Sequence, residues 1–280
     1  MRKCRNSTHS TRMRSSTMDQ IAQQIRRIIL EQSKRASVGH IGSALSVADI
    51  LAVLYGRVLR VERADDHERD RFVLSKGHAA LALYAALHLK GRLDERALGT
   101  FCADGTSLGV HPDTVLPGID YSTGSLGHGL GVAAGYALAA RKQSSVRQVF
   151  ALLSDAECNE GSVWESIAFA AHHRLTNLVA IIDANGQQAL GYTDEILSFS
   201  PLADRWRAFQ WDAREVDGHD HEQLADAMSR PSVGGAPRVV IARTTFGKGV
   251  SFMERQVKWH YSPMSDTEYA NALGEIGAGR

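Results

Sequence analysis

The sequence predicts an α/β fold, a doubly wound, mostly parallel sheet with helices on both faces. Two apolar runs lead there first. Residues 150–153 (Phe-Ala-Leu-Leu) and 178–182 (Leu-Val-Ala-Ile-Ile) have the length of buried strands, and a helical segment over 162–173 separates them. Strand-like and helix-like segments then alternate along the rest of the chain with short turns between, the pattern of parallel strand-helix-strand units. Finally, both apolar runs end on oxygen-bearing side chains: Ser154 and Asp155 after the first, Asp183 and Asn185 after the second. In an open parallel sheet, that edge is where ligands bind.

Taken in order, Ile21, Ile25, Ile28 and Ile29 recur at helical spacing and predict an amphipathic helix over 19–36. Gly39 and Gly42 break it, and Ser46 has the chemistry of an N-cap for a helix over 47–55. Residues 71–75 read as a strand, Lys76-Gly77-His78 as its turn, and 79–89 as an alanine- and leucine-rich buried helix. Residues 101–123 read as loop. Gly124-Ser125-Leu126-Gly127-His128-Gly129 leads into a small-residue helix over 130–141, where dense glycine lets the backbone approach a ligand or a neighbouring helix. After the central unit come a helix over 202–209 with Trp206 on its inner face, a strand over 211–216, a helix over 222–228 and a last strand over 237–243.

The chain has 280 residues, and no internal repeat or linker divides it, so one domain over 18–280 is expected. The formal net charge of +1 favours neither nucleic acid nor a membrane surface as partner. No apolar run approaches the length of a membrane span. The three cysteines, Cys4, Cys102 and Cys158, are too far apart for a disulfide framework or a zinc pattern and fit a reducing cytoplasm. Residues 1–17 are basic and polar without an apolar core, which excludes a secretory signal and reads as a disordered tail.

Asp155, Asn185 and a backbone carbonyl nearby are hard oxygen donors of the kind magnesium takes together with phosphate oxygens. Asp and Asn after a strand are equally common as turn formers and helix caps. His40, His78, His111 and His260 all sit in glycine- or proline-flanked turns or irregular segments, where imidazole can move protons or donate to phosphate and carbonyl oxygens. Glu160 and Glu165 follow Asp155, and either a catalytic role or simple placement near a helix N-terminus accounts for them. The phosphate-binding loop and the nucleophile elbow are both missing. No strand leads into Gly127-His128-Gly129-Leu130-Gly131, so it is no dinucleotide fingerprint.

Several blocks in order resemble the amino-terminal half of a transketolase, in particular the separate amino-terminal subunit of the split form. They are Gly39-His40-Ile41-Gly42-Ser43, Arg69 through His78, Gly109-Val110-His111-Pro112, Ser122 through Gly127, Ser154-Asp155-Ala156-Glu157 with Glu160-Gly161, Asp183-Ala184-Asn185, and Gly247-Lys248-Gly249-Val250 followed by Trp259-His260. The resemblance runs from about residue 20 to about residue 269. It implies the thiamine diphosphate-binding fold and a cofactor, thiamine diphosphate, held through magnesium or calcium. Asp155, the Asn185 side chain and the Gln187 carbonyl would ligate the metal. His78 and His260 would approach the diphosphate, within a cofactor-binding set that includes Ser154, Asp155, Ala156, Glu157 and Asn185. Gly124, Leu126 and Gly127 would lie near the aminopyrimidine. His40, His111 and His260 would face the reacting carbons, and Glu160 and Glu165 match glutamates between the two active sites of the dimer.

Two departures accompany the resemblance. Ser154-Asp155-Ala156 stands where the family usually has Gly-Asp-Gly. A positive φ at Ala156 would cost on the order of 1 kcal/mol and weaken cofactor binding. The pyrimidine-binding half, which carries the glutamate that activates the cofactor, has no counterpart in this sequence. The resemblance therefore implies a carboxy-terminal partner subunit, sites formed at the interface of a hetero-oligomer with two-fold symmetry, and inactivity alone. The implied reaction moves a two-carbon ketol unit from a ketose, or ketose phosphate, to an aldose. The alternatives are a thiamine-dependent component moving another two-carbon unit and a non-catalytic homologue.

Overall fold

The structure, a computed structural model, describes residues 6–61, 63 and 66–278, with side chains from residue 17 onward. Helix α1 (Asn6–Ala36) buries Met18, Ala22, Ile25, Ile29 and Leu30, the face that the isoleucine spacing marks. It starts at Asn6, ahead of residue 18, the start of the ordered domain expected from the sequence. A helix already nucleated by a packed face extends at little cost. Residues 1–5 of the expected tail lie outside the described residues.

A short buried helix, α2 (Ile41–Ser46), occupies the segment expected as a glycine break, and the helix expected over 47–55 is the short buried helix α3 (Ala48–Val53) followed by a π-helical turn over Leu54–Val58. Ser46 is not an N-cap. It ends α2, and its hydroxyl is bonded to the Ser43 carbonyl and to Asp183. Strand β1 (Arg71–Leu74), a 3₁₀ turn (Gly77–Ala79) and α4 (Ala80–Leu89) follow as expected, and α4 is buried from Ala80 to Leu87. A short helix α5 (Glu95–Leu98), capped by the Asp94 carboxylate, precedes the long loop.

The second half runs α6 (Gly129–Lys142), β2 (Val149–Ser154), a 3₁₀ turn (Ala156–Asn159), α7 (Gly161–His172) and β3 (Leu178–Ala184). A small hairpin, β4 (Gln187–Gln188) and β5 (Gly191–Tyr192), leads to α8 (Thr193–Ile196) and α9 (Leu202–Ala208), which buries Trp206 completely. Then come β6 (Asp212–Asp217), α10 (His221–Ser229) and β7 (Arg238–Arg243). A 3₁₀ turn (Val257–His260) and α11 (Asp266–Gly277), started by a Ser265–Glu268 capping box, complete the chain. Apolar periodicity predicts neither α5 nor α11, because both are short on it and rest on caps.

Five of the seven described strands form one parallel sheet in the order β1-β2-β3-β7-β6, apart from the β4–β5 hairpin. One apolar cluster, with α1–α4, α10 and α11, covers one face, and a second, with α6, α7 and α9, covers the other. Both faces of β2 and β3 are therefore buried, which explains their unbroken apolar runs. Ser154 pairs in register with Asp183, so the tips of β2 and β3 end side by side where the chain order reverses toward β7. Among the described residues no helix is long and apolar enough to cross a membrane.

Candidate active site

The edge formed by the carboxyl ends of β2 and β3 collects the predicted oxygen donors. Asp155 accepts the Ala156 N–H at 3.0 Å on Oδ1 and the Gly186 N–H at 2.8 Å on Oδ2. Gly186 has φ 75°, a left-handed conformation that glycine adopts without a Cβ penalty, and this aims its N–H at the neighbouring strand tip. The Asn185 amide nitrogen donates to Asp183 at 2.8 Å. That fixes the amide orientation and turns its Oδ1 the other way, toward the Gln187 N–H at 2.9 Å. Carbonyl and carboxylate oxygens keep a second lone pair, so Asp155 and Asn185 retain acceptor capacity.

Behind them stands a network that sequence reasoning missed. Asp183 and Lys76 are completely buried and form an ion pair. Asp183 also accepts from Ser46 at 2.7 Å, from Thr244 and from Asn185. The only sequence signal was a lysine directly after an apolar strand, since a buried lysine requires an acidic partner.

Across the edge, His40, His78 and His260 form a triangle with ring centroids 5.5, 5.2 and 5.5 Å apart. The Gly124 position faces the His111 ring, which brings the fourth histidine to the same rim. His40 has φ 60°, a strained conformation for a residue with a Cβ, and its N–H donates to the His260 carbonyl at 3.0 Å. Gly39 beside it leaves no room for a side chain, because a Cβ would sit 2.3 Å from the Tyr261 carbonyl oxygen. Burial, then the Lys76 charge and its histidine neighbours, hold His78 well below the usual imidazole value. Burial, then His40 and Lys76, bring His260 down to about 4. His40 is lowered by burial, His111 and Lys76. These three imidazoles are neutral near pH 7, each with one ring nitrogen able to donate and one able to accept.

The remaining predicted residues take other positions. Glu157 is fully buried, and its carboxylate accepts from Ser75 Oγ at 2.5 Å and from the Gly127 and Ser154 N–H groups at 2.9 Å each. It braces the Gly124–Gly127 loop from behind. Ser154 is buried against it, while Leu126 is exposed on the outer side of the loop. Gly127 has φ 79°, and a Cβ there would meet Glu160 Cβ at 2.5 Å. Glu160 and Glu165 are exposed at the start of α7, and the structure does not bring them into the histidine triangle. Ala156 does not have positive φ. It opens a 3₁₀ turn after Asp155 (φ −60°), so its methyl carries no left-handed penalty.

The donor set fits a divalent cation with an anionic ligand. Among the described residues no three His, Cys, Asp or Glu side chains form a metal cluster. One carboxylate, one amide oxygen and one carbonyl leave room for oxygens from a phosphate group. Among the described residues Asp155 has no cationic partner in contact, and burial followed by the Asp183 charge raises its carboxyl to about 7. A cation beside it would remove that penalty. His40 Nδ1, His260 Nδ1 and both amide atoms of Gln187 are buried without hydrogen-bond partners among the described residues. Such groups are costly unless a ligand satisfies them. A cavity of about 390 Å³ adjoins Asp155, Asn185, Gly186 and Gln187.

Residues 17–279 match the family model of the transketolase thiamine diphosphate-binding domain. The chain belongs to the transketolase family. It is 38% identical to a subunit of the apulose-4-phosphate transketolase of Phocaeicola vulgatus, over 94% of this chain and 95% of that protein. It is 39% identical to a 6-deoxy-6-sulfo-D-fructose transketolase subunit of Clostridium sp., over 90% of this chain and 93% of that protein. The transketolase of Campylobacter jejuni superimposes with a TM-score of 0.88 at 28% identity, over 94% of this chain and 43% of that chain. The chain thus spans nearly the whole of the transketolase subunits it matches and under half of the solved transketolases. The fold is that of the transketolase thiamine diphosphate-binding domain, and the protein is a transketolase-type transferase.

Proposed function

We propose that this chain is the amino-terminal subunit of a split, magnesium-dependent transketolase that moves a two-carbon ketol unit from a ketose to an aldose. The observation that carries this reading is the meeting, on one sheet edge, of the Asp155–Asn185–Gln187 oxygen donors with the His40–His78–His260 triangle. Asp155, the Asn185 side chain and the Gln187 carbonyl hold the cation, which neutralises the diphosphate. His78 and His260 donate to diphosphate oxygens. Gly124, Leu126 and Gly127 line the aminopyrimidine side, with Glu157 keeping the loop in place and Ser154 and Ala156 supporting Asp155. Thiamine diphosphate, when bound, supplies the carbon nucleophile of the reaction. The histidines His40, His111 and His260 orient the donor hydroxyls and carry protons to and from its oxygens.

A carboxy-terminal partner completes the site in this reading. Leu126, Leu190, Leu197 and Tyr261 are exposed around the rim, apolar surface that suits a partner subunit in a two-fold hetero-oligomer. Glu160, beside Gly127, and Glu165 are exposed on the first turns of α7 and available to such a partner. The surroundings are cytoplasmic. The subunit-length relatives are named for apulose 4-phosphate and 6-deoxy-6-sulfo-D-fructose. That favours, as donor, a ketose carrying a terminal anionic group.

The test is ketol transfer with thiamine diphosphate and magnesium, using a panel of phosphorylated and sulfonated ketoses. Turnover is expected when the chain is mixed with a carboxy-terminal transketolase subunit from the same genome, and not from the chain alone. Full-rate turnover by the chain alone would overturn the partner requirement. Lack of cofactor binding by the mixed subunits would overturn the catalytic reading.

A further inference from the structure

A second buried polar network lies beneath the site and is not part of it. Asp49 on α3 is 4% exposed. Its carboxylate bonds His219 Nδ1 at 2.7 Å and His221 Nε2 at 2.9 Å, and pairs with Arg26 of α1. His219 uses its other ring nitrogen as well: the Thr245 N–H donates to Nε2 at 2.9 Å. An imidazole that accepts at Nε2 and faces a carboxylate at Nδ1 is held as the Nδ1–H tautomer. Arg26 Nε donates to the Lys248 carbonyl at 3.2 Å. Two of the three arms of the Asp49 network, through His219 and Arg26, therefore end on the backbone of the turn over residues 244–249, while the third, His221, pairs with Asp19 of α1.

That turn leads into the candidate active site from its other side. Thr244 donates to Asp183, which orients Asn185. The Phe246 ring lies parallel to His260, with centroids 6.0 Å apart and planes 5° apart. The Gly247 N–H donates to the Gly42 carbonyl at 3.0 Å, and the Phe246 ring occupies the space where a Gly42 side chain would be. Displacement of the Thr245 amide would thus move Phe246, the surface on which His260 rests.

We propose that Asp49, His219 and the Thr245 amide form a positioning relay that sets the place of His260 for cofactor and donor. His219 is a positioning residue, acting through Thr245 and Phe246. The inference rests on the assignment of His260 to the site.

Three variants separate the arms of His219. Gln in His219→Gln places its amide oxygen near the position of Nε2 and keeps the acceptor for Thr245. Asn in His219→Asn keeps a donor to Asp49 and leaves Thr245 without a partner. Ala in His219→Ala removes both. Hydrogen exchange on the wild-type chain and its variants reads the turn without any cofactor. Calorimetry with thiamine diphosphate and magnesium chloride, on the chain mixed with its carboxy-terminal subunit, reads the site. His219→Asn and His219→Ala are expected to speed exchange in residues 244–249 about tenfold and to weaken cofactor binding about tenfold, the scale of one lost hydrogen bond. His219→Gln is expected to restore both to within about threefold of wild type. Equal behaviour of the Gln and Asn variants would overturn the relay, as would exchange accelerated equally throughout α3 and α10. A loosened turn with unchanged cofactor affinity would overturn the link to His260. Failure of the wild-type complex to bind the cofactor would overturn the functional reading. The exchange measurement would still decide whether His219 holds the turn.

Discussion

Asp155 and Asp183 end neighbouring strands of the same sheet, yet their surroundings are opposite. Asp183 is completely buried and saturated, with Lys76, Ser46, Thr244 and Asn185 all bonded to it. Among the described residues Asp155 accepts from backbone N–H groups alone, and burial raises its carboxyl to about 7. One carboxylate has all its partners within the protein. Among the described residues the other has no cationic side chain in contact, and it stands beside a cavity and several unpartnered polar atoms. The difference teaches that a strand-tip aspartate is not a ligand by position alone. Its unsatisfied valence marks it.

The largest effect expected from this contrast is on Asp183. Asp183→Ala leaves Lys76 buried and unpaired and should destabilise the chain by about 3–5 kcal/mol in urea denaturation. A loss under about 1 kcal/mol would mean that the Lys76 pair is not structural. Next is Gly127→Ala, which combines φ 79° with a Cβ overlapping Glu160. About 2–3 kcal/mol of stability should be lost, together with the loop that Glu157 braces. Partial recovery of stability when Glu160→Gly is combined with it would support the overlap as one cause, the left-handed strain at residue 127 remaining.

The histidine side of the edge gives a pH signature of intermediate size. His260 is lowered from its ordinary value to about 4, so between pH 6.5 and 4 the unfolded chain binds more protons at this residue than the folded one. Its contribution to stability is present above the unfolded value and is lost as pH falls through that window. His260→Asn, in the cofactor-free chain, should reduce the slope of stability against pH there by up to about 1.4 kcal/mol per pH unit. An unchanged slope would contradict a buried neutral His260. The smallest effect is expected at Ala156, which lacks left-handed strain. Ala156→Gly should change stability by no more than about 1 kcal/mol and leave the cofactor dissociation constant within about threefold of wild type. A gain of tenfold or more would show that the methyl obstructs the diphosphate.

Much of the frame was legible in the sequence because burial on both faces of a parallel sheet leaves unbroken apolar runs, as in β2 and β3. The oxygen donors at their tips and the histidines in irregular segments were legible as residue types. Family resemblance, rather than spacing, linked them into one site. Contacts between distant segments were not legible. Nothing local in Ser46 distinguishes a cap from a donor to Asp183, and no periodicity joins Asp49 to His219 across the chain. The role of Glu157 was also hidden, since a glutamate beside a strand tip reads as a ligand until its oxygens are found on Ser75, Gly127 and Ser154.

The contrast between the two aspartates is tested most directly by Asp155→Ala. Two quantities are read on one variant: urea stability of the chain without ligand, and magnesium-dependent binding of thiamine diphosphate by calorimetry on the chain mixed with its carboxy-terminal subunit. Removal of a half-buried carboxylate without a cationic partner should leave ligand-free stability within about 1 kcal/mol of wild type or raise it, while cofactor affinity falls about 100-fold or more. A variant that unfolds as Asp183→Ala does, or that binds cofactor and magnesium as tightly as wild type, would contradict the assignment of Asp155 as the cation's carboxylate.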